Sequence, residues 1–158
     1  MRPNYSTSNS GHADSFEIGD TFQDFVCIEL AKEHIILQNI NSKKFQYETG
    51  ENLQGYEIKY DARCTGDNET KATGRLSIEI AEKTKAANVN YVKSGIYRSD
   101  NSWLYIQGNY HQFWIFAKNL LVMLHKSGRY PEAVMPTVKK FYLPIKDADK
   151  YCAKKIIF

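Results

Sequence analysis

No stretch of the chain approaches the roughly 20 apolar residues needed to span a bilayer, so a membrane partner is not expected. The opening residues MRPNYSTSNSGHADS hold no apolar block of the kind a secretory signal needs, and an unexported protein is expected. Cysteine is scarce. Cys27, Cys64 and Cys152 are odd in number, far apart and free of any CxxC, which argues against a disulfide framework or a thiolate zinc site. They read as reduced thiols in a cytoplasmic setting. There is no GxxxxGK[ST], GxGxxG or GxSxG, so a nucleotide hydrolase, a dinucleotide enzyme and a serine hydrolase are disfavoured, and no nucleotide cofactor is expected. His34, His111 and His125 share no motif, and neither an internal repeat nor a domain linker is evident.

What is present is an ordinary globular composition, 42% apolar and 25% charged over 158 residues, enough for one domain with its own core. The net charge of +3 is unevenly spread. Residues 1–57 carry −5 and residues 58–158 carry +8. A basic second part suits a polyanion partner, and chance clustering on solvated faces explains it equally well.

Residues 1–15, rich in Ser, Asn, Gly and His, read as a flexible segment, with a single domain over 16–158. Asp20 and Gln23 have the spacing of a helix cap, and Phe22, Phe25, Val26, Leu30, Ile36 and Leu37 mark one apolar stripe, predicting a helix to about Asn39. A short strand is expected near Phe45–Tyr47. Tyr56–Arg63 and Arg75–Lys83 alternate like strands around a polar loop, Cys64–Gly74, and so predict an antiparallel hairpin. Gly95–Arg98, Trp103–Gln107 and Phe113–Phe116 read as further short strands. Ala117–Lys126 reads as a helix stopped at Gly128, Val138–Leu143 as a late strand, and Lys146–Lys155 as a closing helix. The expectation is an α/β domain with helices against one mixed sheet.

Three acidic residues stand out. Glu29 falls on the apolar stripe of the first helix, where a carboxylate either pairs with a core Lys or Arg, sits at the edge of the stripe, or serves a metal site. Asp61 sits late in the first strand of the expected hairpin, flanked by Tyr60 and Ala62. Glu79 lies opposite the apolar Ile78 and Ile80 on the second, sharing its face with Ser77, Ala81 and Lys83. If the strands pair, Asp61 and Glu79 approach across them and suit a hard cation such as Mg²⁺. Solvent-facing charges on a wet strand face are the plainer alternative.

These residues resemble the PD-(D/E)xK, or restriction-endonuclease-like, nuclease superfamily in its phage and bacterial forms. The resemblance covers Glu29, then Gly55-Tyr-Glu-Ile-Lys-Tyr-Asp61, Thr73-Gly-Arg-Leu-Ser-Ile-Glu79, Lys93-Ser-Gly-Ile96 and Trp103-Leu-Tyr105. It implies an αβββαβ core with a mixed central sheet flanked by helices, in a bacterial or phage-infected host cell. It implies metal ligation by Asp61, Glu79 and the Ile80 carbonyl, with support from Glu29. The activity implied is Mg²⁺-dependent hydrolysis of DNA, with Mn²⁺ as substitute, endonuclease before exonuclease, leaving a 5′-phosphate. The family's Lys two residues after the Glu is missing, since Ala81 stands there. Lys83, about 13 Å further along the strand, and Lys59 on the neighbouring strand are the candidates to replace it; otherwise there is no catalytic Lys. Lys71, Arg75, Lys85, Lys93 and Arg98 are candidates for phosphate contact, and Ser94 and Gly95 either admit DNA close to the backbone or form a plain turn. Tyr97, Trp103, Tyr105, Phe113 and Trp114 either stack on bases or belong to the core. A homodimer suits cutting of both strands. The rival expectation is an inactive nucleic-acid-binding module on the same fold.

Overall fold

The computed structural model describes residues 13–66 and 71–158. The predicted flexible segment lies outside the described residues up to residue 12. From Ala13 the chain is already helical: α1 runs Ala13–Lys32, well before the expected cap at Asp20. Thr21, inside that span, donates its hydroxyl back to the Glu17 carbonyl rather than capping anything. Phe22, Val26 and Leu30, spaced four apart, are fully buried.

The helix ends seven residues before the expected Asn39. His34 takes a left-handed φ of 62°, its amide donates to the Ala31 carbonyl, and the Ile35 amide donates to Leu30. Those two bonds satisfy the last carbonyls in a Schellman arrangement. Ile36, counted in the apolar stripe, is therefore exposed. The expected strand at Phe45–Tyr47 is a short helix instead, α2, Lys43–Glu48. The Gln46 amide bonds to the Ser42 carbonyl, and Lys, Gln and Glu favour the turn once begun.

Among the described residues the strands form two four-stranded sheets, not one. The first has the order β1–β4–β5–β8, with β1 Tyr56–Tyr60, β4 Leu104–Gly108, β5 Gln112–Ala117 and β8 Lys154–Ile157. The second has the order β3–β2–β7–β6, with β2 Arg75–Glu82, β3 Val92–Lys93, β6 Glu132–Val134 and β7 Val138–Pro144. The predicted hairpin does not form. β1 pairs in parallel with β4, and β2 pairs antiparallel with β7. The physical reason lies on the free edge of β1. There the Tyr56 amide donates to the Asn52 side chain and the Ile58 amide to the Glu51 carboxylate, so both edge donors are already satisfied.

Gly95–Tyr97 is a single 3-10 turn rather than a strand. Helix α3, Lys118–Lys126, matches its expected span, whereas α4, Ile145–Tyr151, stops early and β8 takes the last expected helical residues. β8 pairs antiparallel with β5.

Burial explains the layering. Phe113 and Ile115 of β5, with Ile58 and Ile106, pack against Phe22, Val26 and Leu30 of α1. Trp114 and Phe116, on the opposite face of β5, pack with Tyr105 of β4 and with Leu76, Ile78, Phe141, Leu121 and Ala148 of β2, β7, α3 and α4. The first sheet is thus covered on both sides. No helix among the described residues is long and apolar enough to cross a membrane. The three cysteines are free.

Gly95 has φ +54°, and a Cβ there would sit 2.2 Å from the Glu79 carbonyl oxygen. Gly74, at φ +69°, faces open space. Gly95→Ala should therefore cost about 3 kcal/mol in urea unfolding, strain and overlap together, and Gly74→Ala only about 1 kcal/mol.

Candidate active site

Period two puts Glu57 and Lys59 of β1 on the face opposite Ile58, away from α1. The parallel register sets Glu57 beside Tyr105 and Lys59 beside Gln107. A cleft of about 740 Å³ opens here, lined by Lys59, Asp61, Ser77, Glu79, Gln107 and Lys140 among others. Asp61 and Glu79 do meet one cleft, but from two sheets and not from paired strands.

Asp61 is fixed by its neighbours. Its amide donates to the Gly108 carbonyl at 2.7 Å. Its Oδ2 accepts from the Ser77 amide at 2.9 Å and from Gln107 Nε2 at 2.7 Å. Gln107 Nε2 also reaches the Ser77 carbonyl, at 3.0 Å. Gln107 Oε1 is buried with no hydrogen-bond partner among the described residues.

Glu79 sits at a bulge, where the register with β7 slips between Glu79 and Ala81. Its Oε1 accepts the Ser94 hydroxyl at 2.5 Å. Ser94 is buried and cannot touch DNA in this arrangement, and Gly95 serves close approach to the Glu79 backbone, not to a nucleic acid. The Ile80 carbonyl, expected as a metal ligand, accepts the Ser94 amide at 3.3 Å.

The acid–x–Lys spacing that Glu79 lacks is present one strand earlier, as Glu57-Ile58-Lys59. This spacing is readable in the sequence itself, with Glu57 and Lys59 on one face of the strand. Lys59 Nζ lies 3.1 Å from Glu57 Oε1, and Lys118 Nζ lies 3.9 Å from Oε2. Glu57 is 2% exposed, and burial is the main cause pushing its carboxyl above the ordinary range, against the pull of the two lysines. Glu51 is raised too, first by burial. For Lys59 burial opposes the charge, but the carboxylates of Glu57, Glu79 and Glu51 prevail and hold it well above the ordinary lysine value.

The other expected residues divide clearly. Lys83 lines the cleft, yet its ammonium donates to the Asn88 carbonyl at 2.7 Å and lies over the Tyr91 ring. Glu29 does not line the cleft and pairs with Lys32 at 2.7 Å. Lys71, Arg75, Lys85 and Lys93 are exposed, Arg75 with its guanidinium 3.7 Å above the Tyr142 ring centre. Arg98 is held by Asp100 and by the carbonyls of Gln46 and Tyr47. Tyr105, Phe113 and Trp114 are fully buried core residues, which removes them as base-stacking groups; Trp103 is exposed, and Tyr97 is hydrogen-bonded to His125. Gln107, Ser77 and Lys140, the cross-strand neighbour of Glu79, were not anticipated, because their roles depend on inter-sheet packing and on the β2–β7 register.

Among the described residues, no three acidic, His or Cys side chains gather closely enough to hold a metal ion. Mg²⁺ is commonly held by only one or two carboxylates with waters completing its shell. Asp61, Glu79 and the unpartnered Gln107 Oε1 offer hard oxygen donors on one cleft, a set that fits such an ion in kind.

No family model matches the chain, and neither a curated protein nor a solved structure does. The resemblance to PD-(D/E)xK nucleases therefore rests on the residues themselves.

The raised carboxyls of Glu51 and Glu57 have a consequence for stability. The unfolded chain releases these protons near the ordinary value of 4.5, whereas the folded chain holds them to higher pH. Their contribution to stability is thus lost as pH rises from 4.5 through their folded values. Glu57→Gln should flatten that decline in denaturant midpoints measured across the range.

Proposed function

We propose that this protein is a Mg²⁺-dependent DNA endonuclease whose reacting groups are Asp61, Glu79 and Lys59. The observation that carries the reading is the meeting of these three side chains on one cleft, with both carboxylates held by hydrogen bonds. Asp61 and Glu79 would hold the cation, with Gln107 Oε1 within the same wall. When bound, Mg²⁺ supplies Lewis-acid polarisation of the phosphodiester and charge for the leaving oxygen.

The chain's own groups do the rest. Ser77 and Gln107 fix one carboxylate and Ser94 the other, so neither has to be ordered when substrate arrives. The carboxylates of Glu57, Glu79 and Glu51 favour the charged form of Lys59, so it is given no proton-abstracting role. Its role is a fixed positive charge beside the phosphate, taking the place left by Ala81, and Lys140 adds a second cation to the cleft wall. Lys71, Arg75, Lys85 and Lys93 supply exposed charge for neighbouring phosphates. The product end is a 5′-phosphate, as the resemblance implies, and a homodimer would serve double-strand cutting.

Ala81, and the finding that among the described residues no three acidic, His or Cys side chains gather closely enough for a metal, favour a second reading, a binding module on the same scaffold. Nicking of supercoiled plasmid with Mg²⁺ or Mn²⁺ separates the two. Asp61→Asn and Glu79→Gln should each lower the rate at least about 100-fold, and Lys59→Met about 100-fold, while Lys83→Ala leaves it unchanged. Plasmid binding without nicking, indifferent to these substitutions, is the outcome expected of the module.

A further inference from the structure

A second cavity, of about 690 Å³, shares Lys59, Tyr60 and Glu82 with the cleft, so the two open on either side of one wall. Its far side is built by α2 and the loop after the 3-10 turn. Tyr47 is 78% exposed, so its ring is open to solvent on the rim of this cavity. Yet the residue is not loosely placed. The Arg98 guanidinium lies 5.5 Å from its ring centre, and Arg98 is itself fixed by the Tyr47 and Gln46 carbonyls and by Asp100. The result is a positively backed aromatic platform on the cavity rim.

The wall carries both signs of charge. Glu51 and Gln23 are hydrogen-bonded to each other, and Asp20 is paired with Lys43. Acidic groups there oppose a second phosphate but can accept from the edge of a base. The occupant these features fit is therefore a nucleobase, its phosphate left at Lys59. A base inside a duplex is stacked on both faces and paired along its edge, so only an unpaired one can enter.

We propose that this cavity is a subsite for one unpaired nucleotide adjoining the scissile phosphate, its base stacked on the Tyr47–Arg98 platform. The substrate class is then DNA with a single-stranded segment at the cut, such as a branch, flap or open strand. This rests on the nucleic-acid part of the function proposed above and adds the substrate's form to it.

The test is binding without chemistry. Fluorescence anisotropy in EDTA would follow a labelled single-stranded oligothymidylate of about 12 nucleotides and a blunt duplex of equal length. The proposal expects Tyr47→Ala to weaken the single strand about 10-fold, Tyr47→Phe to restore it, and neither to alter duplex binding. Thymidine monophosphate at the oligonucleotide's concentration should not displace it. Wild-type affinity in Tyr47→Ala, an equal loss for duplex, no binding of the oligonucleotide, or displacement by the mononucleotide would each overturn it. The assay holds no metal and reads no cleavage. It can fail while plasmid is still nicked, and succeed where no nicking occurs.

Discussion

One carboxylate oxygen joins the two sheets. Asp61 leaves the edge of the first sheet and its Oδ2 accepts the Ser77 amide of the second, while Gln107 from the first sheet bonds to both partners. Charge-assisted bonds of this kind are stronger than neutral ones, and here they fix the opening between β1 and β2. Lys59, Asp61, Ser77, Glu79 and Gln107 line the cleft that opens at that junction. A residue with this double duty constrains interpretation. Removing it disturbs packing as well as chemistry, and substitutions that keep its shape are the informative ones.

The second constraint is electrostatic. Burying Glu57 would be costly alone, and Lys118, itself held by Asp100, Ser102 and the Arg98 carbonyl, supplies a fixed countercharge from below. Lys59 then stands under the influence of several carboxylates. Such an arrangement keeps an ammonium charged and aimed, which suits stabilisation of negative charge developing on a phosphate better than proton abstraction. Lys83 lacks this setting, because its ammonium is already engaged by Asn88 and Tyr91.

Much of the local structure was legible in the sequence. The alternation of Leu76, Ile78 and Ile80 places Glu79 on the opposite face, and the span of α3 follows from its apolar spacing and Gly128. The pairing of strands was not legible. Alternation identifies a strand but not its neighbour, and the side chains of Asn52 and Glu51 close an edge that a hairpin would need. Ile36 extended an apolar stripe past a helix stop set by a His in left-handed geometry, a conformation that sequence seldom announces. Ser94 and Gly95 read either as a plain turn or as a place where DNA comes close to the backbone. Their true setting, against Glu79, appears only when the 3-10 turn packs on the bulge of β2.

The central claim is that Asp61 and Glu79 share a divalent cation across the junction of the two sheets. Crystals soaked in Mn²⁺ and measured at the manganese absorption edge address it directly. The account predicts an anomalous peak bonded to a carboxylate oxygen of each residue. A cleft without such a peak, or an ion bound by one of the two alone, would contradict it.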